Sequence, residues 1–268
     1  MKLYIVATPI GNLGDISMRA LDILKSVDVI ACEDTRHTKI LLNKYDIKTK
    51  LIAYHKFNEK QSTEGIIKLL KEDTSVALVS DAGMPLICDP GNVLVNRLRE
   101  ESIDYTVIPG ANAMLCALVL SGFDSSRFAF FGFLSERSKE RNIQLKQISE
   151  FAGTSILYSS KHNINEDLAR LRTSLNDRPV CVVNEISKLF EKKVFFNLSE
   201  AVIQEPTGEY VIVLGAPFES ASTNENVNII EEVEHLIADG MSVNEACKTV
   251  AKNLGLAKRD VYNEFVKK

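Results

Sequence analysis

Dense apolar runs, separated by stretches of helical spacing, punctuate the first 121 residues. The runs are Leu3-Tyr4-Ile5-Val6-Ala7, Val29-Ile30-Ala31-Cys32, Val76-Ala77-Leu78-Val79 and Tyr105-Thr106-Val107-Ile108. Val76-Ala77-Leu78-Val79 has the unbroken apolar character of a strand buried on both faces. Val93, Leu94 and Leu98 repeat at helical spacing, and Met114-Leu115-Cys116-Ala117-Leu118-Val119-Leu120 reads as an apolar helix. Strand and helix alternate five times in this region, which predicts a parallel-rich sheet covered by helices.

Gly122-Phe123-Asp124-Ser125-Ser126 breaks the pattern as a linker. A second α/β unit follows, with strands expected near Phe130, Ile156, Val182, Val194 and Val211 and helices near Ile143 and Leu168. The alternation of Phe128, Phe130, Phe131 and Phe133 predicts a core strand rather than a base-stacking platform. The polar run Glu219-Ser220-Ala221-Ser222-Thr223-Asn224-Glu225-Asn226 reads as a second linker. Beyond it, Ile229, Ile230, Val233, Leu236 and Ile237 mark one helix ended by Gly240. Ser242 with Glu245 three residues on forms a capping box for the next. A third helix from about Ala257 presents Val261, Tyr262, Phe265 and Val266. The series is similar to a small helix-turn-helix module, suited to RNA docking or to packing in a dimer.

Composition narrows the picture. With 268 residues, 45% hydrophobic and 25% charged, the chain is expected to be globular, with one large or two medium domains. Five cysteines lie scattered without paired spacing, which suits reduced thiols better than disulfides or zinc. The amino terminus reads as a strand rather than a signal peptide, and no apolar run reaches membrane-spanning length, so a cytoplasmic protein is expected. The net charge of −4, from 32 basic and 36 acidic side chains, does not advertise a nucleic-acid binder. Local basic groups stand out instead: Arg137, Lys139, Arg141 and Lys146; Lys188, Lys192 and Lys193; and Lys258, Arg259, Lys267 and Lys268.

Three loops carry candidate chemistry. Asp81-Ala82-Gly83-Met84-Pro85-Leu86-Ile87-Cys88-Asp89-Pro90-Gly91 crowds two glycines, two prolines and two aspartates at the carboxyl end of a strand, where open α/β sheets bind ligands. Glycine lets a ligand approach the backbone, and proline fixes the loop's shape in advance. Thr8-Pro9-Ile10-Gly11-Asn12-Leu13-Gly14-Asp15 closes the first strand but has neither the Rossmann glycine fingerprint nor a P-loop. It suits a small organic cofactor rather than a dinucleotide. Pro109-Gly110-Ala111-Asn112-Ala113 opens the apolar helix with small residues, so something flat can rest against free backbone N–H groups. Three such loops from separate strands point to one shared pocket.

These loops, together with Cys32-Glu33-Asp34-Thr35-Arg36-His37-Thr38, resemble the tetrapyrrole-methylase superfamily, in motif order from Lys2 to about Gly215. The Glu33-Asp34-Thr35-Arg36 run is similar to the branch that methylates small-subunit ribosomal RNA and sets the chain apart from porphyrin and corrin methylases. The resemblance implies an α/β protein with two α/β domains of the tetrapyrrole-methylase (class III methyltransferase) type, at residues 1–121 and 122–218. A small helical module at 219–268 completes it. It implies S-adenosylmethionine as cofactor, transfer to a cytidine ribose 2′-oxygen of RNA in the assembled small ribosomal subunit, and a homodimer.

Carried over residue by residue, the resemblance puts Pro9, Asp81, Ala82, Gly83, Met84, Ile87, Asn112, Ala113, Ser159 and Ile186 at the cofactor. Met84 and Cys88 stand where threonine and serine are common. Ser159-Ser160-Lys161-His162-Asn163 replaces a Glu-Ser-Pro-His-Arg type segment, and Ile186-Ser187-Lys188 a Leu-Thr-Lys type segment. The enzyme's main task in such a transfer is to align oxygen, carbon and sulfur. A sugar hydroxyl also benefits from a base or from a cation that stabilises the alkoxide. Glu33, Asp34, Arg36 and Lys188 are the polar candidates for that catalytic work, with buried salt-bridge architecture as their alternative role. The reaction needs no metal.

Two other functions fit parts of the pattern. A tetrapyrrole or corrin methylase shares the cofactor loops, but the Glu33–Arg36 run and the helical tail argue against it. A non-catalytic ribosome-assembly module would keep the pocket, yet nothing at the loops looks disabled.

Overall fold

A computed structural model describes residues 2–217, 229–238, 240–254 and 257–266. The apolar runs of the first half become β1 (Leu3–Val6), β2 (Val29–Cys32), β4 (Val76–Leu78) and β5 (Tyr105–Ile108), joined by β3 (Lys50–Ala53). All pair in parallel, in the order β3-β2-β4-β1-β5. Helices α1 (Met18–Ser26), α2 (Thr35–Lys44), α3 (Glu59–Lys71), α4 (Asn92–Glu100) and α5 (Ala113–Ser121) connect or follow these strands. Successive strand residues feed opposite cores: Val6 joins Leu24, Ile30 and Val79 on one face, whereas Leu3 and Ile5 join Ile66, Leu78 and Leu94 on the other. Both faces are dry, and this is why the strands read as continuous apolar runs.

The second sheet contains β6 (Phe128–Phe133), β7 (Thr154–Ser160), β8 (Pro179–Asn184), β9 (Lys192–Asn197) and β10 (Glu209–Leu214). Its order is β6-β7-β10-β8-β9, parallel only between β6 and β7. Helices α6 (Ser138–Glu150) and α7 (Ile164–Ser174) cover one face through Ile148, Leu168 and Leu171. The other face meets α5, whose Ala117 and Leu118 pack with Ile156, Val183 and Val213. The last helix of the first half therefore joins the two sheets.

One expectation needs correcting. The phenylalanine strand is an edge strand, not a core strand: Phe128 and Phe133 are exposed. The register with β7 slips between Phe130 and Phe133, where Gly132 has a φ of 66°. That irregularity turns the end of the strand out of the core.

By internal contacts the chain forms two compact units, Met1–Pro217 and Phe218–Lys268. The second contains α8 (Ile229–Ala238), α9 (Val243–Leu254) and α10 (Lys258–Val266), packed around Val233, Ala246, Cys247, Val250 and Val261. Ser242 Oγ donates to Glu245 Oε2 at 2.7 Å, and the carboxylate accepts from the Ser242 backbone N–H at 3.4 Å. The polar run at 219–226, Lys267 and Lys268 lie outside the described residues. Among the described residues no helix is long and apolar enough to cross a membrane.

Candidate functional site

The carboxyl ends of β1, β2, β4 and β5 meet at one edge of the first sheet, and hydrogen bonds tie the loops after β1 and β2 to the loop after β4. The Thr8 N–H donates to the Gly83 carbonyl at 2.8 Å, and the Gly83 N–H returns a bond to the Thr8 carbonyl at 3.1 Å. The Thr8 hydroxyl reaches the Ser80 carbonyl at 3.1 Å. Gly83 has a φ of 80°, a conformation that only glycine adopts without strain. Leu86 and Cys88, at φ 73° and 65°, hold the same left-handed region with side chains attached. Strain of this kind persists where the surroundings over-determine a loop, and it clusters at ligand sites.

The second sheet supplies the opposite wall. Glu185 and Ser187, in the turn after β8, also have positive φ, at 53° and 65°. A Cβ placed on Gly11 would stand 2.5 Å from Lys188 Cγ and 2.9 Å from the Ile186 carbonyl oxygen, so glycine is what allows the first loop to approach this turn. The Ser187 hydroxyl bonds the Asp15 carboxylate across the same gap.

Between these walls lies a cavity of about 330 Å³, within the range of small-molecule sites. Of the residues assigned to a cofactor from sequence, Asp81, Ala82, Gly83, Met84, Ile87, Asn112, Ala113, Ser159 and Ile186 all line it. Pro9 does not; it is buried, and its neighbour Ile10 supplies the wall instead. The Thr8–Gly83 bridge sets this placement by pinning the residue just before Pro9. Several of the lining side chains are already engaged, Asn112 and Ser159 among them. Asn112 Oδ1 caps α5 by accepting the Leu115 N–H at 3.1 Å, and the Ser159 hydroxyl donates to Asp167 at 2.6 Å.

Sequence reasoning missed Asp89, Phe133, Tyr158 and Glu209 among the lining residues. Tyr158 packs edge-on against Phe130 and Phe133, at 4.7 and 5.5 Å between ring centroids, and burial pushes its hydroxyl up to about 12. Asp89 is the more consequential. Burial, then the nearby Glu33 carboxylate, raise its pKa to about 6 despite a hydrogen bond from Ser80.

A second, more open hollow of about 430 Å³ adjoins the first. Glu33, Asp34, Thr35, Arg36, Ala53, His55, Lys56, Phe57 and Asp81 line it. Asp81 therefore belongs to both walls, and its Oδ1 accepts the Asp34 N–H at 3.1 Å. Asp34 caps α2. Its carboxylate accepts from the Arg36 backbone N–H at 2.8 Å and from the guanidinium at 2.7 and 3.1 Å, which hold it well below the usual carboxylate range. Glu33 differs: burial, and then Asp81, raise its pKa above the ordinary value. Lys188 lines neither hollow. Its ammonium donates to Glu185 at 2.8 Å and to Glu209 at 2.9 Å.

Comparison with known proteins agrees with this geometry. The family model for tetrapyrrole (corrin/porphyrin) methylases matches residues 2–202. A ribosomal RNA small subunit methyltransferase I from Halalkalibacterium halodurans is 42% identical, over 98% of this chain and 94% of the relative. The protein of the same name from Bacillus subtilis is 39% identical, over 98% and 93%. Among solved structures, the methyltransferase CobJ matches with a TM-score of 0.64 at 15% identity, over 80% of this chain and 93% of its own. A uroporphyrin-III C-methyltransferase from Thermus thermophilus, complexed with S-adenyl homocysteine, matches with a TM-score of 0.58 at 16% identity, over 80% and 97%. With a sheet-edge cavity in place and relatives aligned along nearly its whole length, the chain belongs to the tetrapyrrole (corrin/porphyrin) methylase family, in the group of the ribosomal RNA small subunit methyltransferase I proteins.

Proposed function

We propose that this chain uses S-adenosylmethionine to methylate the ribose 2′-oxygen of a cytidine in small-subunit ribosomal RNA, acting on the assembled subunit. The observation that carries the reading is the wall shared at Asp81. A cofactor-sized cavity and an open polar hollow meet there, as a transfer between a small donor and a large acceptor requires. The relatives' shared name supports the acceptor class.

In this reading Asp81, Ala82, Gly83, Met84, Ile87, Asn112, Ala113, Ser159 and Ile186 hold the cofactor, with Ile10 in the place expected of Pro9. Bound S-adenosylmethionine supplies an activated methyl group. Glu33 takes the acceptor proton, since its raised pKa makes it a better base than Asp34, whose lone pairs are committed to Arg36 and the α2 cap. Arg36, with its side chain 89% exposed, is placed for an RNA phosphate. Lys188 holds Glu185 and Glu209 in place rather than the substrate. We assign the chain to the cytoplasm, as a homodimer, with residues 1–121, 122–218 and 219–268 as its three parts.

Incubation with labelled S-adenosylmethionine tests the reading. Small ribosomal subunits, naked ribosomal RNA and a porphyrinogen are offered in parallel. Label is expected in RNA recovered from subunits. Label in the porphyrinogen alone, or in no acceptor, overturns the proposal.

A further inference from the structure

The open hollow contains three side chains that the transfer described above leaves unused: His55, Lys56 and Phe57. They lie on the loop between β3 and α3, at the same sheet edge as Glu33 and Asp81. Phe57 is 95% exposed, more than any other large apolar side chain among the described residues. A lone exposed ring is common on a protein surface, so its meaning rests on what surrounds it.

Hydrogen bonds through Asn58 brace the loop that presents it. Asn58 Oδ1 accepts the His55 N–H at 2.7 Å, Asn58 Nδ2 donates to the Ala53 carbonyl at 3.2 Å, and the Asn58 N–H returns to the His55 carbonyl at 3.0 Å. Glu59, the next residue, reaches the cofactor-side loop, where its Oε1 accepts the Gly91 N–H at 2.9 Å. The Phe57 platform is thus tied to the loop that lines the first cavity. Its ring stands edge-on to His55, at 6.2 Å between centroids and 61° between planes. His55 Nδ1 is buried without a hydrogen-bond partner among the described residues, a costly state. Lys56 has no ion-pair partner among the described residues.

An aromatic face, a free cation and the half-buried Glu33 carboxylate within one hollow match the three parts of a single nucleotide. Sequence-reading of RNA targets bases that are unstacked and splayed out, and a flat aromatic side chain is the usual seat for such a base. We propose that Phe57 is the stacking platform for the acceptor nucleobase, with His55 as its edge wall and Lys56 beside the adjoining phosphate. This rests on the RNA-methylating reading above.

The test measures label transfer to small ribosomal subunits at increasing subunit concentration, with cofactor affinity read separately by calorimetry. Phe57→Ala is expected to raise the subunit KM roughly tenfold while cofactor Kd is unchanged. Phe57→Trp should keep the wild-type KM, and Phe57→Leu should behave as the alanine variant, because leucine offers area without a π-face. An unchanged KM in Phe57→Ala, or full rescue by leucine, overturns the platform alone. Loss of self-association in Phe57→Ala by light scattering assigns the ring to a protein interface instead and also overturns it. Failure of the wild-type protein to label subunits removes the underlying RNA reading, and the platform with it.

Discussion

Asp89 illustrates what burial does to one carboxylate. Its pKa is lifted from the ordinary 3.8 to about 6, first by desolvation and then by Glu33. A folded-state pKa above the unfolded value means that the folded form binds the proton more tightly. The stability this contributes is fully present below about pH 4 and is lost as pH rises through about 6. At neutral pH the folded protein therefore holds a charge it would rather not have. Asp89→Asn is expected to raise Tm by about 3 °C at pH 7, with the gain vanishing near pH 4; thermal unfolding followed by circular dichroism at both pH values measures it. An equal gain at both would show that the charge is not the cause. The sequence made the 81–91 loop conspicuous through its glycines, prolines and aspartates. The resemblance singled out Asp81, but nothing local marked Asp89, whose neighbour Glu33 is 56 positions away in the chain. Proximity of that kind is created by strand pairing and leaves no local pattern.

At the scale of elements, legibility followed burial. Strands dry on both faces were plain, because every residue in β2 is buried. The aromatic edge strand misled, because alternation describes a pleat and not the side of the sheet on which it sits. The 54–58 turn was silent, since an exposed ring in a polar loop has no period. At the start of α2, Asp34 serves as cap and as partner of Arg36. Arg36→Ala leaves the Asp34 bond to the backbone in place, so little loss of stability is expected. Cofactor affinity by calorimetry should also stay the same, while methyl transfer to small subunits falls at least tenfold. Equal loss of binding and turnover would move Arg36 to the cofactor site, and loss of neither would displace the acceptor hollow.

For the molecule as a whole, α5 is the informative helix. Its sequence is apolar on every side, a composition normal for a helix covered all round. Ala117 and Leu118 are indeed buried, but Val119 is 80% exposed and Leu115 is open as well. Val194 and Phe195 of β9 are exposed too, and Lys193 of that strand donates to the Leu120 carbonyl at 3.4 Å, which sets strand and helix side by side. A second copy is the expected cover. Light scattering should give about twice the 29.8 kDa chain mass, and Val119→Glu should shift the protein toward the monomer; a wild-type monomer at micromolar concentration would refute the assignment. The strand order has a different consequence, one that concerns the growing chain. β1 precedes both of its hydrogen-bonding neighbours, β4 and β5, which begin at Val76 and Tyr105. At synthesis rates of about 5–20 residues per second, Leu3-Tyr4-Ile5-Val6 waits roughly 4–15 s before its first partner has been translated. During that interval both edges of an apolar strand are open, which makes Leu3–Val6 a target for a nascent-chain chaperone.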